Sequence, residues 1–273
     1  DEEALAAAGI TEDPATLAEN DEWTTEKFLE MNAKLHDAGL IGSMYWNYWA
    51  THWSWLSSQG LAAPYDDAGA FTANTDADTV ESLQQFGELF QDGTFALADT
   101  MPDGAGADSM FVTHKAGFFV QGRYTIGTVT AAGEQDSYDI VRWPTPDGTA
   151  APTGVATSFL AINGKTKVKD AAFTFWTEFL SAEGQTFRLQ GGGNAVPSIK
   201  GADEVVLEGD YPAHAQTFLD MRDIGFEDYP AEARVPGLPG TISEEFLKLY
   251  EGKTDAQTTL DTIAKLVKEQ AAE

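Results

Sequence analysis

The stretch that decides the fold is SMFVTHKAGFFVQGRYTIG, residues 109–127. Within it, residues 115–120 form a mostly apolar run of strand length, and Gly122 follows almost at once. From Tyr124 onward the apolar residues return with helical character as far as Val129. A strand, a tight glycine turn and a helix are therefore predicted in sequence. In α/β proteins, turns of this kind line ligand clefts.

The same alternation of helices and strands continues on both sides of this stretch. A helix that Thr24 caps precedes an apolar run at residues 40–45, which is typical of a buried strand. Downstream, two further strands are predicted at residues 138–143 and 158–162, and residues 170–180 have the pattern of an amphipathic helix. Proline and glycine separate these segments. The pattern predicts an α/β protein.

Composition limits the classes of partner. The chain carries 44 acidic and 16 basic side chains, a formal charge of −28, and such a field repels phosphate backbones, so we expect no nucleic-acid partner. The absence of cysteine excludes disulfides, thiolate metal sites and cysteine nucleophiles. Its apolar stretches are far shorter than the roughly 20 residues that cross a bilayer. Because the sequence begins at Asp1 without methionine, we expect a processed or truncated chain.

No motif of known catalytic chemistry is present. The four histidines, at positions 36, 52, 114 and 214, are scattered singly without a His/Glu spacing suited to zinc, so we expect no metal site and no cofactor. Nucleophile elbows, phosphate loops and kinase motifs are absent, and no catalytic residue is predicted. Acidic pairs abound, but the sequence does not give their separations, so a secreted carbohydrate-active enzyme stays an alternative.

An aromatic cluster at residues 45–55 holds four of the seven tryptophans. Helical spacing of tryptophans ordinarily indicates a core. Indole faces also suit the C–H faces of sugar rings, and the indole N–H adds a polar group to the same pocket. We therefore expect one or two of these four rings to face a cleft.

The order of these motifs resembles the family 1 extracellular solute-binding proteins of bacterial ABC importers, which include maltose-binding protein. Residues 109–127 are similar to a stretch in which Phe, Gly-Lys and an apolar strand precede Gly-x-Trp. Residues 170–187 resemble a helix pair ending in Ser-x-Glu-Gly-Gln, residues 191–198 a Gly-x-x-Pro loop, and residues 244–268 the closing helices. Two departures are Tyr124 in place of the tryptophan and His114-Lys115 in place of Gly-Lys.

The resemblance implies a type II periplasmic-binding-protein fold, incomplete at the N-terminus, whose lobes close on a sugar or oligosaccharide and deliver it to an ABC permease. Residues 1–153 and 206–273 would form the C-terminal lobe, and residues 154–205 the returning segment of the N-terminal lobe. The missing N-terminal lobe is then an expected partner. The expected location is extracellular, periplasmic or lipid-anchored at the cell surface.

The resemblance also implies which residues bind the ligand. It assigns stacking on the ligand to Trp49, Trp53 and Tyr124. It assigns polar or turn roles to Gly122, Arg123, Asn194 and Arg234. For Arg234, a surface ion pair is an equal alternative to bidentate recognition of hydroxyls or a carboxylate. With only five arginines and eleven lysines in the chain, a neutral sugar is favoured over an anionic ligand such as a sugar phosphate.

Overall fold

Residues 1–101, 106–191 and 193–270 are described by a computed structural model. Their strands are β1 Ile41–Tyr45, β2 Phe95–Leu97 and β3 Ala116–Phe119. Their α-helices are α1 Glu2–Ala7, α2 Pro14–Glu19, α3 Thr25–Asp37, α4 Trp49–Ser58, α5 Ala77–Gln91, α6 Gly106–Val112, α7 Thr125–Ala132, α8 Lys169–Leu180, α9 Ala182–Leu189, α10 Glu204–Leu207, α11 Gln216–Ile224, α12 Pro230–Ala233, α13 Leu238–Tyr250 and α14 Ala256–Gln270.

The three strands form one parallel sheet in the order β2-β1-β3. Ser43, in the central strand, lies opposite Phe95 on one side and Phe118 on the other. Both predicted strands within this sheet, at residues 40–45 and 115–120, are confirmed. The helix before β1 is confirmed as α3, and Thr24 caps it by accepting a hydrogen bond from the Lys27 amide at 3.1 Å.

Apolar side chains cover both faces of the sheet. On one face, residues of α3, α5, α13 and α14 pack around Tyr45, and they include Phe28, Phe86, Phe246 and Ile263. On the other face, a smaller cluster contains Met44, Phe111, Ala116, Val129 and Tyr138. Each large side chain buried in this way contributes roughly 1.5–3 kcal/mol. We call residues 1–153 and 226–270 the main body.

Two strands predicted from sequence are not formed. Residues 138–143 run without a ladder partner, and residues 158–162 have no strand assignment. Phe159 is 87% exposed. A strand is defined by backbone pairing, and among the described residues no backbone hydrogen bond joins 156–162 to another segment. The apolar pattern at 158–162 therefore has nothing to pair with in this structure.

Residues 156–224, called the returning segment below, leave the main body and come back at one place. At this crossing, the Val155 amide donates to the Phe226 carbonyl at 2.8 Å, and the Phe226 amide donates to the Thr153 carbonyl at 2.9 Å. Within the segment, α9, α10 and α11 share a small core. In α8, by contrast, no residue is buried.

No helix in the described ranges has both the length and the apolar character needed to cross a bilayer.

Candidate ligand-binding cleft

A cleft of about 1120 Å³ lies between the main body and the returning segment. Its lining includes the end of β3, the turn between β3 and α7, the loop 194–200 and the crossing at 153–155 and 226. The carboxyl end of a parallel strand is where α/β proteins bind ligands. The volume is that of pockets that enclose organic ligands of moderate size.

Two tyrosine rings are open to this cleft. Tyr124, at the start of α7, is 49% exposed, and Tyr48, just before α4, is 39% exposed. Burial raises the pKa of Tyr48 to about 12, and the nearby Tyr124 adds to the shift, so both rings are neutral phenols near pH 7. The Tyr124 hydroxyl donates to the Gln121 side chain. An aromatic surface with polar edges results.

Gly122 allows the ring of Tyr124 to lie against the turn. A Cβ atom at position 122 would come within 2.6 Å of Tyr124 Cε1. This distance is shorter than side-chain packing permits, so a larger residue would displace the ring. Gly122 thus contributes to the cleft by leaving room for the Tyr124 ring.

Arg123 is buried and is used by the protein itself. Its Nη1 donates to the carbonyls of Leu189, Gly193 and Ala195 at 3.1, 2.8 and 3.0 Å. Its Nη2 donates to the Val205 carbonyl at 2.9 Å. These four bonds fasten the returning segment to the turn after β3. The resemblance had implied that Arg123 binds the ligand. Both of its terminal nitrogens instead donate to backbone carbonyls, so Arg123 shapes the wall of the cleft.

The remaining predicted residues are divided between the cleft and other places. Asn194 is exposed and lines the cleft; Gly192, in the same predicted loop, lies outside the described residues. Trp49 is half-buried and packs edge to face with Phe226 at 6.1 Å, beside the crossing. Arg234 is exposed and lies outside the cleft lining.

Trp53 is a core residue. It is 1% exposed, and its Nε1 donates to Glu232 Oε1 at 3.0 Å. No face of its ring is open for stacking on a ligand. None of the four tryptophans of the aromatic cluster lines the cleft; Tyr48, a member of the same cluster, does.

Sequence reasoning also missed Trp143 and Phe226, which line the cleft from distant positions. Tyr48 could have been found, because it lies in the aromatic cluster that was singled out. No local pattern marks Trp143 or Phe226 as a ligand-binding residue, so only the folded chain places them in the cleft.

The cleft is electrically balanced in a strongly acidic chain. Five basic and five acidic side chains line it, which are Arg123, Arg142, Arg188, Lys200 and Arg222, and Asp1, Asp139, Asp203, Asp223 and Glu227. Several of the cations are occupied by protein partners. Arg222 Nη1 lies 2.6 Å from Asp203 Oδ1, and the Asp203 hydrogen bonds raise the pKa of Arg222. The arrangement provides hydrogen-bonding groups without a net positive charge.

Solved structures with a similar fold are carbohydrate- and solute-binding proteins. Maltose-bound MalE3 of T. maritima superposes with a TM-score of 0.76 at 16% identity, covering 98% of this chain and 68% of that protein. The GacH receptor of Streptomyces glaucescens, described unliganded and with acarbose, gives 0.77 at 15%, covering 98% and 67%. UgpB of Mycobacterium tuberculosis, in complex with glycerophosphocholine, gives 0.72 at 16%, covering 100% and 67%.

These similarities confirm the predicted α/β, type II periplasmic-binding-protein fold. A comparison by sequence with curated proteins gives no match. The sequence model of one family, described as bacterial extracellular solute-binding protein, matches residues 3–217. This range contains the sheet, the β3–α7 turn and the loop at Asn194. Because the match spans most of the chain and both sides of the cleft, the chain belongs to the bacterial extracellular solute-binding proteins.

Proposed function

We propose that this protein captures a neutral sugar or oligosaccharide in the cleft and delivers it to the permease of an ABC importer. The observation that carries the proposal is the pair of exposed rings, Tyr48 and Tyr124, in a cleft with balanced charge. Aromatic faces bury the C–H faces of sugar rings, and a few polar groups fix orientation. Thr157, Ser158 and Asn194 are exposed in the cleft and supply such groups.

An anionic ligand is the competing class within the family. UgpB, which has a similar fold, binds glycerophosphocholine, whose phosphodiester charge is balanced by a quaternary ammonium. A sugar phosphate has no such internal cation, so it would need more basic groups from the protein. Recognition of a phosphate calls for converging, unpaired basic groups. In this cleft, Arg123 is bound to carbonyls, and Arg142 and Arg222 are paired with Asp21 and Asp203. Arg188 and Lys200 are the remaining cations, and five acidic side chains line the same cleft, so its charge balance favours a neutral ligand.

We further propose that the returning segment belongs to a lobe whose other part completes the second wall. Phe173, Phe175 and Phe187 are 57, 61 and 78% exposed, and α8 buries none of its residues. Exposed apolar surface on this scale marks a contact site. The compared proteins are longer than this chain, which spans 67–68% of them. The proposed occupant is the N-terminal lobe of the same protein, carried by residues that precede Asp1.

The division into lobes follows from the same reasoning. Residues 1–153 are proposed to begin the C-terminal lobe, and the chain is proposed to enter the other lobe at residue 154. The resemblance implies a return at about residue 206. Val206 and Leu219 pack with Leu189, while Tyr211 packs against the cluster around Met44 and the His214 amide donates to Asp139 Oδ1, so the residues after 206 contact both lobes. The family is extracellular, and attachment to the cell surface by a lipid anchor is part of the proposal.

The second wall is tested by comparing affinities. We expect this chain alone to bind a saccharide at least roughly tenfold more weakly than a protein extended by the N-terminal lobe, because a closing site buries its ligand from both sides. A thermal-shift screen of the extended protein with neutral oligosaccharides and sugar phosphates identifies the ligand, and calorimetry then gives both dissociation constants. Equal affinities would refute the second wall.

The same samples separate binding from catalysis. Chromatography of the saccharide after prolonged incubation with the extended protein should recover it unchanged. Release of a shorter sugar would favour the carbohydrate-active enzyme instead.

A further inference from the structure

Three metal-ligating side chains outside the cleft lining converge on the main body. His114 Nε2 lies 3.5 Å from Glu3 Oε2 and 3.7 Å from Glu134 Oε2. One ligand atom from each of the three residues lies within 4.8 Å of the others. Glu3 belongs to α1, His114 lies between α6 and β3, and Glu134 follows α7. Three separate parts of the chain therefore meet at one point.

The imidazole of His114 is oriented by a buried carboxylate. His114 Nδ1 lies 3.0 Å from Asp1 Oδ1, and the Asp1 side chain is fully buried. An ionised carboxylate only accepts hydrogen bonds, so Nδ1 carries the proton and donates it. In the neutral ring Nε2 then presents its lone pair toward Glu3 and Glu134. A carboxylate on the far nitrogen is the arrangement that fixes metal-binding histidines elsewhere.

Neighbouring groups hold the other parts of the cluster. The Tyr138 ring stacks on His114 with a centroid distance of 5.6 Å. The Ser137 hydroxyl donates to Glu3 Oε1 at 2.9 Å, which restrains one carboxylate oxygen while Oε2 faces His114. Tyr138 and Ser137 thus hold the His114 ring and the Glu3 carboxylate in place.

We propose that Glu3, His114 and Glu134 bind a divalent transition-metal ion, with zinc as the best chemical fit. Zinc bonds to histidine nitrogen and carboxylate oxygen of about 2.0–2.2 Å place tetrahedral ligand atoms roughly 3.4 Å apart. The separations of 3.5 and 3.7 Å are close to this value. Two carboxylates and one neutral imidazole neutralise the ion and leave a fourth position for water. The chain's net charge of −28 raises the local cation concentration.

A bound ion would tie α1 to the end of α7, the helix that directly follows Tyr124. We expect calorimetry with zinc chloride on the 273-residue chain to show one site of micromolar or tighter affinity. Zinc at about 100-fold above the dissociation constant should raise the melting temperature by about 5 °C or more. Glu3→Gln and Glu134→Gln should each weaken binding at least roughly tenfold, because each replaces one of the three ligands by a neutral amide.

Two further variants make the experiment decisive. His36→Gln replaces an exposed histidine that lies outside the cluster and should bind zinc like the parent chain. His114→Asn keeps a residue that tolerates the left-handed backbone at φ 57°, but removes the ligand nitrogen, and should abolish the site. Absence of zinc binding by the parent chain, unchanged affinity in the glutamine variants, or equal competition by calcium would each overturn the proposal.

Discussion

Replacing Arg123 with methionine should lower the free energy of unfolding by about 3 to 5 kcal/mol. The substitution removes the side-chain donors of the carbonyls of residues 193, 195 and 205, and it leaves the Leu189 carbonyl with the Gly193 amide alone. A hydrogen bond to a charged group contributes about 1.5–3 kcal/mol, and a buried acceptor without a partner costs about 1–3 kcal/mol. Urea denaturation followed by tryptophan fluorescence measures the difference.

Arg234→Met is the matched control for this experiment. Arg234 is exposed, and a surface substitution of this kind changes stability by only about 0.5 kcal/mol. A loss below about 1 kcal/mol for Arg123→Met would show that the four carbonyls find other donors. In that case Arg123 would not be what holds the returning segment against the β3–α7 turn.

Glu232 should make stability fall as the pH rises toward 7. This side chain is 1% exposed; Oε1 accepts hydrogen bonds from Trp53 at 3.0 Å and Tyr65 at 2.8 Å, while Oε2 is buried without a partner. Burial raises the pKa of Glu232 from 4.5 to about 7. Between those values the folded carboxyl keeps a proton that the unfolded chain has lost, so the folded state is progressively disfavoured.

The expected size of this effect is about 2.5 kcal/mol between pH 5 and pH 8. Glu232→Gln keeps an acceptor for Trp53 and Tyr65 but does not titrate. Its free energy of unfolding should therefore gain about 2.5 kcal/mol relative to the parent chain over that pH range. Glu244→Gln, at an exposed position on α13, should keep the parent's pH profile. Parallel profiles for the parent chain and Glu232→Gln would show that Glu232 stays ionised when buried.

Local patterns predicted the elements whose formation depends on neighbours in sequence. The sheet strands β1 and β3, the Thr24 cap and helix α8 were all found in this way. Residues 158–162 have an equally good strand pattern and form no strand. A strand needs a partner from elsewhere in the chain or in another chain, and a pattern cannot say whether that partner is present.

In the candidate site, too, local patterns predicted some residues correctly and others not. Gly122 and Tyr124 line the cleft as expected, because the strand–turn–helix order fixes where a turn after β3 must lie. Asn194 lines it as well, from the glycine-rich loop that the resemblance had assigned to the ligand. Trp53 does not, although the resemblance implied that its ring stacks on the ligand. Eight of the ten residues of α4 are buried, so this helix is surrounded by protein, and spacing alone does not indicate which ring reaches a cleft.

Clusters assembled from distant segments were beyond sequence reasoning altogether. His114 has no His/Glu neighbour at a metal-binding spacing, and the sequence therefore predicted no metal site. The fold brings Glu3 and Glu134 to it from 111 residues before and 20 residues after. Spacing rules detect metal ligands that lie on one helix or loop. They cannot detect three ligands that come from distant segments and meet only in the folded chain.

The central claim, that the cleft captures a neutral saccharide through the rings of Tyr48 and Tyr124, is tested most directly by calorimetry on Tyr124 variants. The protein extended by its N-terminal lobe is titrated with the saccharide found by screening. Tyr124→Ala should weaken binding roughly tenfold or more, because it removes the largest exposed apolar face of the cleft. Tyr124→Phe, which keeps the ring, should bind nearly as tightly as the parent. Binding by Tyr124→Ala with the parent's affinity, or a screen in which no neutral saccharide binds, would contradict the account.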